Sequence, residues 1–218
     1  MLRALRALRV KKSVSGPSLT TDAIILLKRP AADAFQTFSV FSPAHGLLRV
    51  IQRIPQKAAP SHVTLDLFDE VSFLLEGAPQ GDAWFVKEAR LLARHGGIGR
   101  NYEALVRASS FATLVSRNPV PEESRSAVHA LLHTAFAALA ESTRPDVVCL
   151  KSLYCFARDE GYPVKQQWFP ALSSADRELA SSLLNRPLAE QTISPADAAR
   201  LLLRFEDYLR RHTEIVLD

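Results

Sequence analysis

The amino-terminal part of the chain carries an excess of positive charge that could bind an anionic partner. Residues 1–57 contain ten Lys and Arg against two acids, whereas residues 58–218 contain seventeen against twenty-one. Nucleic acid is the commonest partner of such a charge excess, and its phosphates are bound without base specificity and with a strong dependence on salt. An ordinary solvated surface, or protection of exposed strand edges by charge, would give the same composition. The candidates for phosphate contact lie at predicted strand ends and adjoining loops: Lys28, Arg29, Arg49, Arg53 and Lys57.

The sequence contains none of the common short motifs of catalysis. It has no G-x-S-x-G nucleophile elbow and no Walker loop ending in GK[ST]. The glycines of GGIGR, residues 96–100, lack the following Lys-Ser/Thr of a phosphate-binding loop, so a hinge or tight turn is the expected use. Adjacent acids such as Asp69 and Glu70 diverge in space and are expected on the solvated surface. The sequence therefore predicts a binding protein rather than an enzyme.

Histidine and cysteine spacings give no metal site. His129 and His133 lie four residues apart, but the zinc protease motif H-E-x-x-H would need a glutamate where Ala130 stands. Two partly exposed helical histidines are therefore expected. Cys149 and Cys155 match no common zinc pair and are expected to be ordinary thiols. No metal and no cofactor is predicted.

Short apolar runs and period-two alternation predict a small sheet in the first part of the chain. Turn residues rich in Pro and Gly separate the runs. Five strands so close together in sequence indicate a small closed or partly open barrel, for which the OB-fold is the common five-stranded solution. The segment Ala83–Leu92 could add an extended piece or begin a helix. The predicted strands are Ala23–Lys28, Phe35–Phe41, Gly46–Arg53, Val63–Leu67 and Val71–Glu76.

From Asn101 the apolar period becomes helical. Helices are predicted over about 101–117, 122–141, 146–160 and 174–184, with Gly161 as the C′ residue of the third. A last helix is predicted to begin with Ser194 as N-cap and Pro195 at N1. Strands followed by helices predict an α+β protein in which a five-stranded OB-fold barrel precedes an α-helical domain. The expected divisions are a disordered basic extension over 1–17, the OB-fold over 18–80 and the helical domain over 81–218.

The first sixteen residues, MLRALRALRVKKSVSG, are rich in Arg and contain no acid. Such a segment is typical of a mitochondrial presequence, but a disordered basic arm or an upstream start codon read in error would look the same. Aromatic residues that could stack on bases are also ambiguous. Phe38 lies on the opposite face of its strand from Phe35 and Phe41, and at least one face must be core, so most of the three are predicted to be buried.

Four segments, taken in order, resemble the RecO family of bacterial recombination mediators. They are AIILLKRPAADAFQTFSVFSPAHGLLRVIQR, FVKEARLLARHGGIGRNYEALVRASSFATLVSRNPVPEE, KSLYCFARDEGYPV and RFEDYLRRHTEIVLD. The shared features include a strand that ends in Arg-Pro, a glycine turn before a basic strand, and a long helix that closes on a Gly-Tyr pair. Together they extend over roughly residues 20–218. The resemblance implies an OB-fold followed by a helical domain.

The resemblance also implies a function. A member of this family binds single- and double-stranded DNA, anneals complementary strands and, with its partner RecR, helps load recombinase onto strands covered by single-strand-binding protein (SSB). Its helical domain receives the acidic, hydrophobic C-terminal tail of SSB, and the expected rim of that site is Lys151, Tyr154 and Arg158. The resemblance to the RecO family also implies a cytoplasmic, nucleoid-associated bacterial protein with no membrane partner. A non-catalytic adaptor, with a barrel that binds protein and incidental charge, is the alternative.

The chain departs from the family pattern in two places. Many members carry a four-cysteine zinc module after the Gly-Tyr pair, whereas residues 164–178 contain no cysteine. The basic run after the third strand is thinned to RIPQKAAPSH, whose cations are Arg53 and Lys57, with His62 beside them. A lower DNA affinity, or greater use of the N-terminal arm, is therefore expected.

Overall fold

A computed structural model describes residues 16–56, 62–78 and 81–217. Within these ranges the chain forms a five-stranded sheet followed by six α-helices, so the architecture is mixed α+β. The strands are β1 (Ser18–Lys28), β2 (Phe35–Ser42), β3 (Gly46–Arg53), β4 (Glu70–Gly77) and β5 (Ala83–Ala93). The helices are α1 (Tyr102–Arg117), α2 (Arg125–Glu141), α3 (Pro145–Asp159), α4 (Val164–Ala171), α5 (Ser174–Asn185) and α6 (Pro195–His212).

The strand pairings run in the order β1-β2-β3-β5-β4, and β4 pairs again with β1, so the sheet closes on itself. All neighbours are antiparallel except β3 and β5, which are parallel. Closure leaves each strand with two neighbours. The curled sheet therefore has an interior of its own and an outer face that other elements can cover.

The middle of strand β1, residues 23–26, is buried on both faces, which explains its unbroken apolar run. Ala23 and Ile25 point into the sheet interior, whereas Ile24 and Leu26 join the apolar core of the helices. A strand that lies between two cores reads as a continuous hydrophobic stretch because neither face meets water. The helices thus pack on the outer face of the sheet, and Phe41 and Phe68 belong to the same shared core.

Two features of the sheet differ from the sequence prediction. The segment Val63–Leu67 is not a strand, and Ala83–Leu92, for which the sequence allows a strand or a helix, lies in β5. The first segment alternates because Leu65 is buried in the sheet interior and Leu67 packs against the helical core, and neither contact requires strand pairing. The sheet consequently extends beyond residue 80, where the sequence placed its end.

The helix ends follow the expected local chemistry. The Ser194 hydroxyl accepts a hydrogen bond from the amide of Asp197, and Pro195 occupies the first turn of α6. Gly161 follows the end of α3 with φ +88°, as a C′ residue requires. Helix α4 was not predicted, because its eight residues include an internal proline, Pro170.

The prediction that the Asp69-Glu70 pair lies on the solvated surface is wrong, because the Glu70 side chain is only 12% exposed and Asp69 is buried. Its carboxylate is 1% exposed and accepts hydrogen bonds of 2.9 and 2.7 Å from the guanidinium of Arg94. It also accepts from the amide of Asp66 at 2.8 Å. This arrangement fixes the start of β4 to the end of β5, because a bidentate guanidinium bond defines both distance and orientation.

Candidate nucleic-acid interface

Three of the predicted phosphate-binding cations come to the same end of the sheet. Strands β1 and β3 both run antiparallel to β2, so Lys28 at the end of β1 and Arg53 at the end of β3 lie at one edge. Arg29 follows in the loop between β1 and β2. Arg49 lies four residues before Arg53 on the outer face of β3, and Lys57 lies outside the described residues.

Two adjoining grooves open at this end of the sheet, with volumes of about 890 and 440 Å³. Arg53 and Lys87 line the larger groove and Lys28 lines the smaller one. The walls that both share offer amide and imidazole groups as further hydrogen-bond partners. The shared lining residues are Gln52, Ile54, Pro55, Gln56 and His62.

The cations differ in how free they are to bind phosphate. Lys28 is paired with Asp66 at 3.0 Å. Burial opposes ionisation of Asp66, but the Leu67 amide and the Lys28 ammonium outweigh it, and the pKa of Asp66 lies below its ordinary value. Within the described ranges, no acid forms an ion pair with Arg53. Arg53 could therefore bind a phosphate directly, whereas a phosphate would have to compete with the Asp66 carboxylate for Lys28.

Two aromatic rings are exposed beside these cations. Phe35 is 41% exposed and Phe85 is 36% exposed, and their ring centroids are 6.5 Å apart in an edge-to-face arrangement. Phe35 lies opposite Arg53 in the pairing of β2 with β3, and Phe85 lies opposite Ile51 in the pairing of β3 with β5. Phe35, Arg49, Ile51, Arg53 and Phe85 therefore share one outward surface, which we call the β2–β3–β5 surface.

The other candidate aromatics are core residues, as the sequence predicted for most of them. Phe38 is fully buried in the sheet interior. Phe41 is on the same side of β2 as Phe35 but is only 1% exposed, because the helical core covers that end of the strand. The helices thus leave one half of this face open. The sequence did not identify Phe85 as an exposed aromatic residue, because the pattern of its segment fits a strand and a helix equally well.

The three residues predicted for a partner tail line one pocket of about 740 Å³ in the helical part: Lys151, Tyr154 and Arg158. Lys165 and Phe169 of α4 line it as well, together with Leu131, Leu184 and Leu188. Among the described residues that line the pocket, three are cations and none is a carboxylate. The pocket therefore combines an apolar floor with a positively charged rim.

Each of the three predicted residues has a distinct position in this pocket. The Lys151 ammonium donates a 2.6 Å hydrogen bond to the carbonyl of Arg186, and burial lowers the pKa of Lys151. Arg158 is exposed and donates to Asp159 at 2.7 Å. Tyr154 is only 8% exposed, and its ring packs against Phe169. Tyr154 therefore forms part of the pocket wall, whereas the two cations can turn toward a ligand.

The two cysteines have the properties of ordinary thiols. Burial raises the pKa of Cys149 to about 11, and burial also raises the pKa of Cys155. A thiol with a raised pKa is a weak nucleophile and a poor metal ligand, because both roles require the thiolate. Both cysteines are free in the described part of the chain.

No protein-family model matches the chain, and no curated protein matches it. Among the described residues, no helix is both long and apolar enough to cross a bilayer. The geometry of the β2–β3–β5 surface and of the helical pocket is therefore the basis for functional inference.

Proposed function

We propose that this protein is a DNA-binding recombination mediator of the RecO type. It binds single- and double-stranded DNA on its sheet and anneals complementary strands. With RecR as its partner, it helps load recombinase onto strands covered by SSB. The observation that carries the DNA-binding part of the proposal is the β2–β3–β5 surface, where two exposed aromatic rings lie beside Arg49 and Arg53. The roles of RecR and recombinase are supported by the resemblance of the sequence to the RecO family.

Support for an OB-fold comes from the topology of the sheet. The order β1-β2-β3-β5-β4 with closure onto β1 fits the five-stranded Greek-key barrel of that fold. OB-folds bind oligonucleotides on the face of strands 2 and 3 and with the loops between strands 1 and 2 and strands 4 and 5. The β2–β3–β5 surface lies on that face, and Arg29 lies in the first of those loops.

The chemistry of the surface suits single strands in particular. Bases stack on aromatic rings with little regard to sequence, and neighbouring cations neutralise the phosphates. Phe35 and Phe85 supply the rings and Arg49 and Arg53 the charge, while Lys28 adds a cation at the adjoining strand end. Arg49 is only weakly engaged, since its nearest carboxylate, on the exposed Asp82, is 3.9 Å away.

Strand annealing tests this proposal. We expect the protein to accelerate annealing of complementary oligonucleotides at low salt, measured by fluorescence quenching. The double variant Phe35→Ala, Phe85→Ala should lose most of the acceleration, because base stacking contributes about 1–3 kcal/mol per base. Leu203→Ala, which removes an apolar side chain that is 65% exposed on α6, serves as the matched control. Equal annealing by the double variant and the control would contradict the proposal.

The pocket lined by Lys151, Tyr154 and Arg158 is the proposed site for the C-terminal tail of SSB. Such a tail is acidic and ends in hydrophobic residues, so it needs an apolar groove with cations at its rim. The pocket offers three cations on its rim and leucines and Phe169 on its floor. The Lys151 ammonium has three donor hydrogens and uses one of them on the Arg186 carbonyl, so others can meet a carboxylate.

A tail peptide tests this pocket separately from DNA. We expect an acidic peptide with a hydrophobic C-terminus to bind, and Arg158→Glu to weaken binding by at least roughly tenfold, since the new carboxylate repels the acidic peptide and like charges placed together cost several kcal/mol. Binding is measured by calorimetry. Arg211→Glu on α6 makes the same charge change as a control, and affinity for DNA should stay the same in both variants. Equal peptide binding by the two variants would exclude this pocket as the site.

A protein-interaction adaptor is the alternative function. Its support is the helical pocket, which could receive an acidic segment of another protein without any role for the sheet. Peptide binding with no measurable DNA binding would favour the adaptor.

A further inference from the structure

Two histidines and a glutamate from three different elements meet at the junction of the sheet and the helices. The Glu70 Oε1 atom is 3.0 Å from Nε2 of His95 and 2.6 Å from Nδ1 of His133. The three potential ligand atoms all lie within 4.8 Å of one another. Glu70 begins β4, His95 follows β5, and His133 lies on α2. This convergence is invisible in the sequence, where the three residues are far apart.

The first two of these residues are held in place by the sheet. Glu70 is paired with Ala93 in the register of β4 and β5, which brings His95 beside it. The neighbouring Asp69–Arg94 bond fixes the same two segments side by side. The side chains of Glu70 and His95 are 12% and 9% exposed, so the packed protein restricts their motion.

Helix α2 supplies the third residue from the opposite side. His133 lies one turn before Phe136, whose ring is 4.8 Å from that of Phe68 in the shared core. That packing sets the position of α2 above the sheet. The side chain of His133 is 54% exposed, so the cluster has an opening to solvent. An ion could therefore reach the cluster without unfolding of the core.

We propose that Glu70, His95 and His133 form a binding site for a divalent transition metal, with Zn²⁺ as the ion that fits best. Two imidazole nitrogens and one carboxylate oxygen suit Zn²⁺, which binds such groups at about 2.0–2.2 Å with tetrahedral geometry. Tetrahedral ligands at these bond lengths lie about 3.3 Å apart. The Glu70 oxygen lies 3.0 and 2.6 Å from the two imidazole nitrogens, which is closer than this value, and all three ligand atoms lie within 4.8 Å of one another. Side-chain movements that separate the carboxylate from the two imidazoles would open the cluster for the ion.

The site has three protein ligands, so water or a partner group would complete the coordination. A bound ion would link three elements of the fold, because its ligands lie on β4, just after β5 and on α2. Metal binding would therefore hold the helical part against the sheet. The inference is independent of the proposed function, since it uses neither the β2–β3–β5 surface nor the helical pocket.

Titration of the chelator-treated full chain with Co²⁺ and Zn²⁺ tests the site. We expect one Co²⁺ per chain with visible absorption bands of a tetrahedral complex, displacement of Co²⁺ by Zn²⁺, and a higher melting temperature with Zn²⁺. Glu70→Gln and His133→Ala should each weaken Zn²⁺ binding by at least roughly tenfold, because even loss of an outer-shell partner costs about 10–100-fold. His133→Ala removes a half-exposed side chain, so it should fold, as circular dichroism can verify.

The control is His45→Ala, which removes an exposed histidine in the turn between β2 and β3. It should bind Zn²⁺ as the wild-type protein does. The inference would be overturned if the wild-type chain bound no Co²⁺ or Zn²⁺. It would equally be overturned if Glu70→Gln and His133→Ala bound the ions as tightly as His45→Ala.

Discussion

Replacement of Phe136 by alanine is expected to lower the free energy of unfolding by about 4 kcal/mol, as deletion of a buried phenylalanine ring typically does. The ring is fully buried on α2, 4.8 Å from that of Phe68 on the sheet side. One apolar core contains residues of both the sheet and the helices. A cavity at Phe136 should therefore weaken the whole fold rather than the helices alone. Urea unfolding measures the change.

The two tryptophans allow each part of the protein to be followed separately. Trp84 lies on β5 against the sheet interior, and Trp168 lies on α4 in the helical core. In each single-tryptophan variant, tryptophan fluorescence and far-ultraviolet circular dichroism should report the same midpoint, and Phe136→Ala should lower that midpoint in both variants. Leu203→Ala, at an exposed position, should change stability by less than about 0.5 kcal/mol. Separate transitions, with only one displaced by Phe136→Ala, would contradict a shared core.

The double variant Lys28→Ala, Arg53→Ala is expected to bind single-stranded DNA about a hundredfold more weakly at 50 mM salt. Each lost phosphate contact makes the negative slope of log K against log salt less steep by about 0.7. At this salt concentration that change weakens binding by roughly tenfold. Both side chains lie at one end of the sheet and line adjoining grooves. Fluorescence anisotropy of a labelled oligonucleotide across a salt series measures the affinity and the slope.

A second double variant controls for the loss of overall charge. Arg210→Ala, Arg211→Ala removes two cations from the last turn of α6, where they pair with Glu206 and Asp207 on the helix surface. Its affinity and salt slope should remain close to those of the wild-type protein. A slope reduced equally in both double variants would show that net charge, rather than a site on the sheet, governs binding.

Local patterns were sufficient to predict much of the fold. Strands β2 and β3 alternate and are bounded by turn residues, so their limits were predicted to within one residue. The start of α6 was confirmed because an N-cap serine and a following proline define a helix start by local chemistry alone. The general α+β order was predicted for the same reason, since the change of period near Asn101 is a local property.

Features that depend on long-range contacts were not predictable. Val63–Leu67 has the composition of a strand, but Val63 and Leu65 pack into the sheet interior and Leu67 packs against the helical core, without strand pairing. Asp69 is indistinguishable in sequence from a surface acid until β5 brings Arg94 to it. The His95–Glu70–His133 cluster requires three elements to converge, so no spacing rule could have found it.

The candidate interface was predictable in part. The cations at the strand ends were identified because turns place strand ends together, and Lys28 and Arg53 do lie at one end of the sheet. Phe35 could not be separated from Phe41, because both lie on one face and only the position of the helices distinguishes them. Phe85 could not be identified until its segment was known to pair with β3.

Binding of single-stranded DNA by a chain that begins at residue 16 is the most direct test of the account. Removal of residues 1–15 eliminates five Lys and Arg, so any remaining affinity must come from residues 16–218. A DNA site on the sheet predicts micromolar or tighter binding at low salt that weakens steeply as salt rises, as phosphate contacts require. Loss of all binding with the removed segment would contradict a DNA site on the sheet.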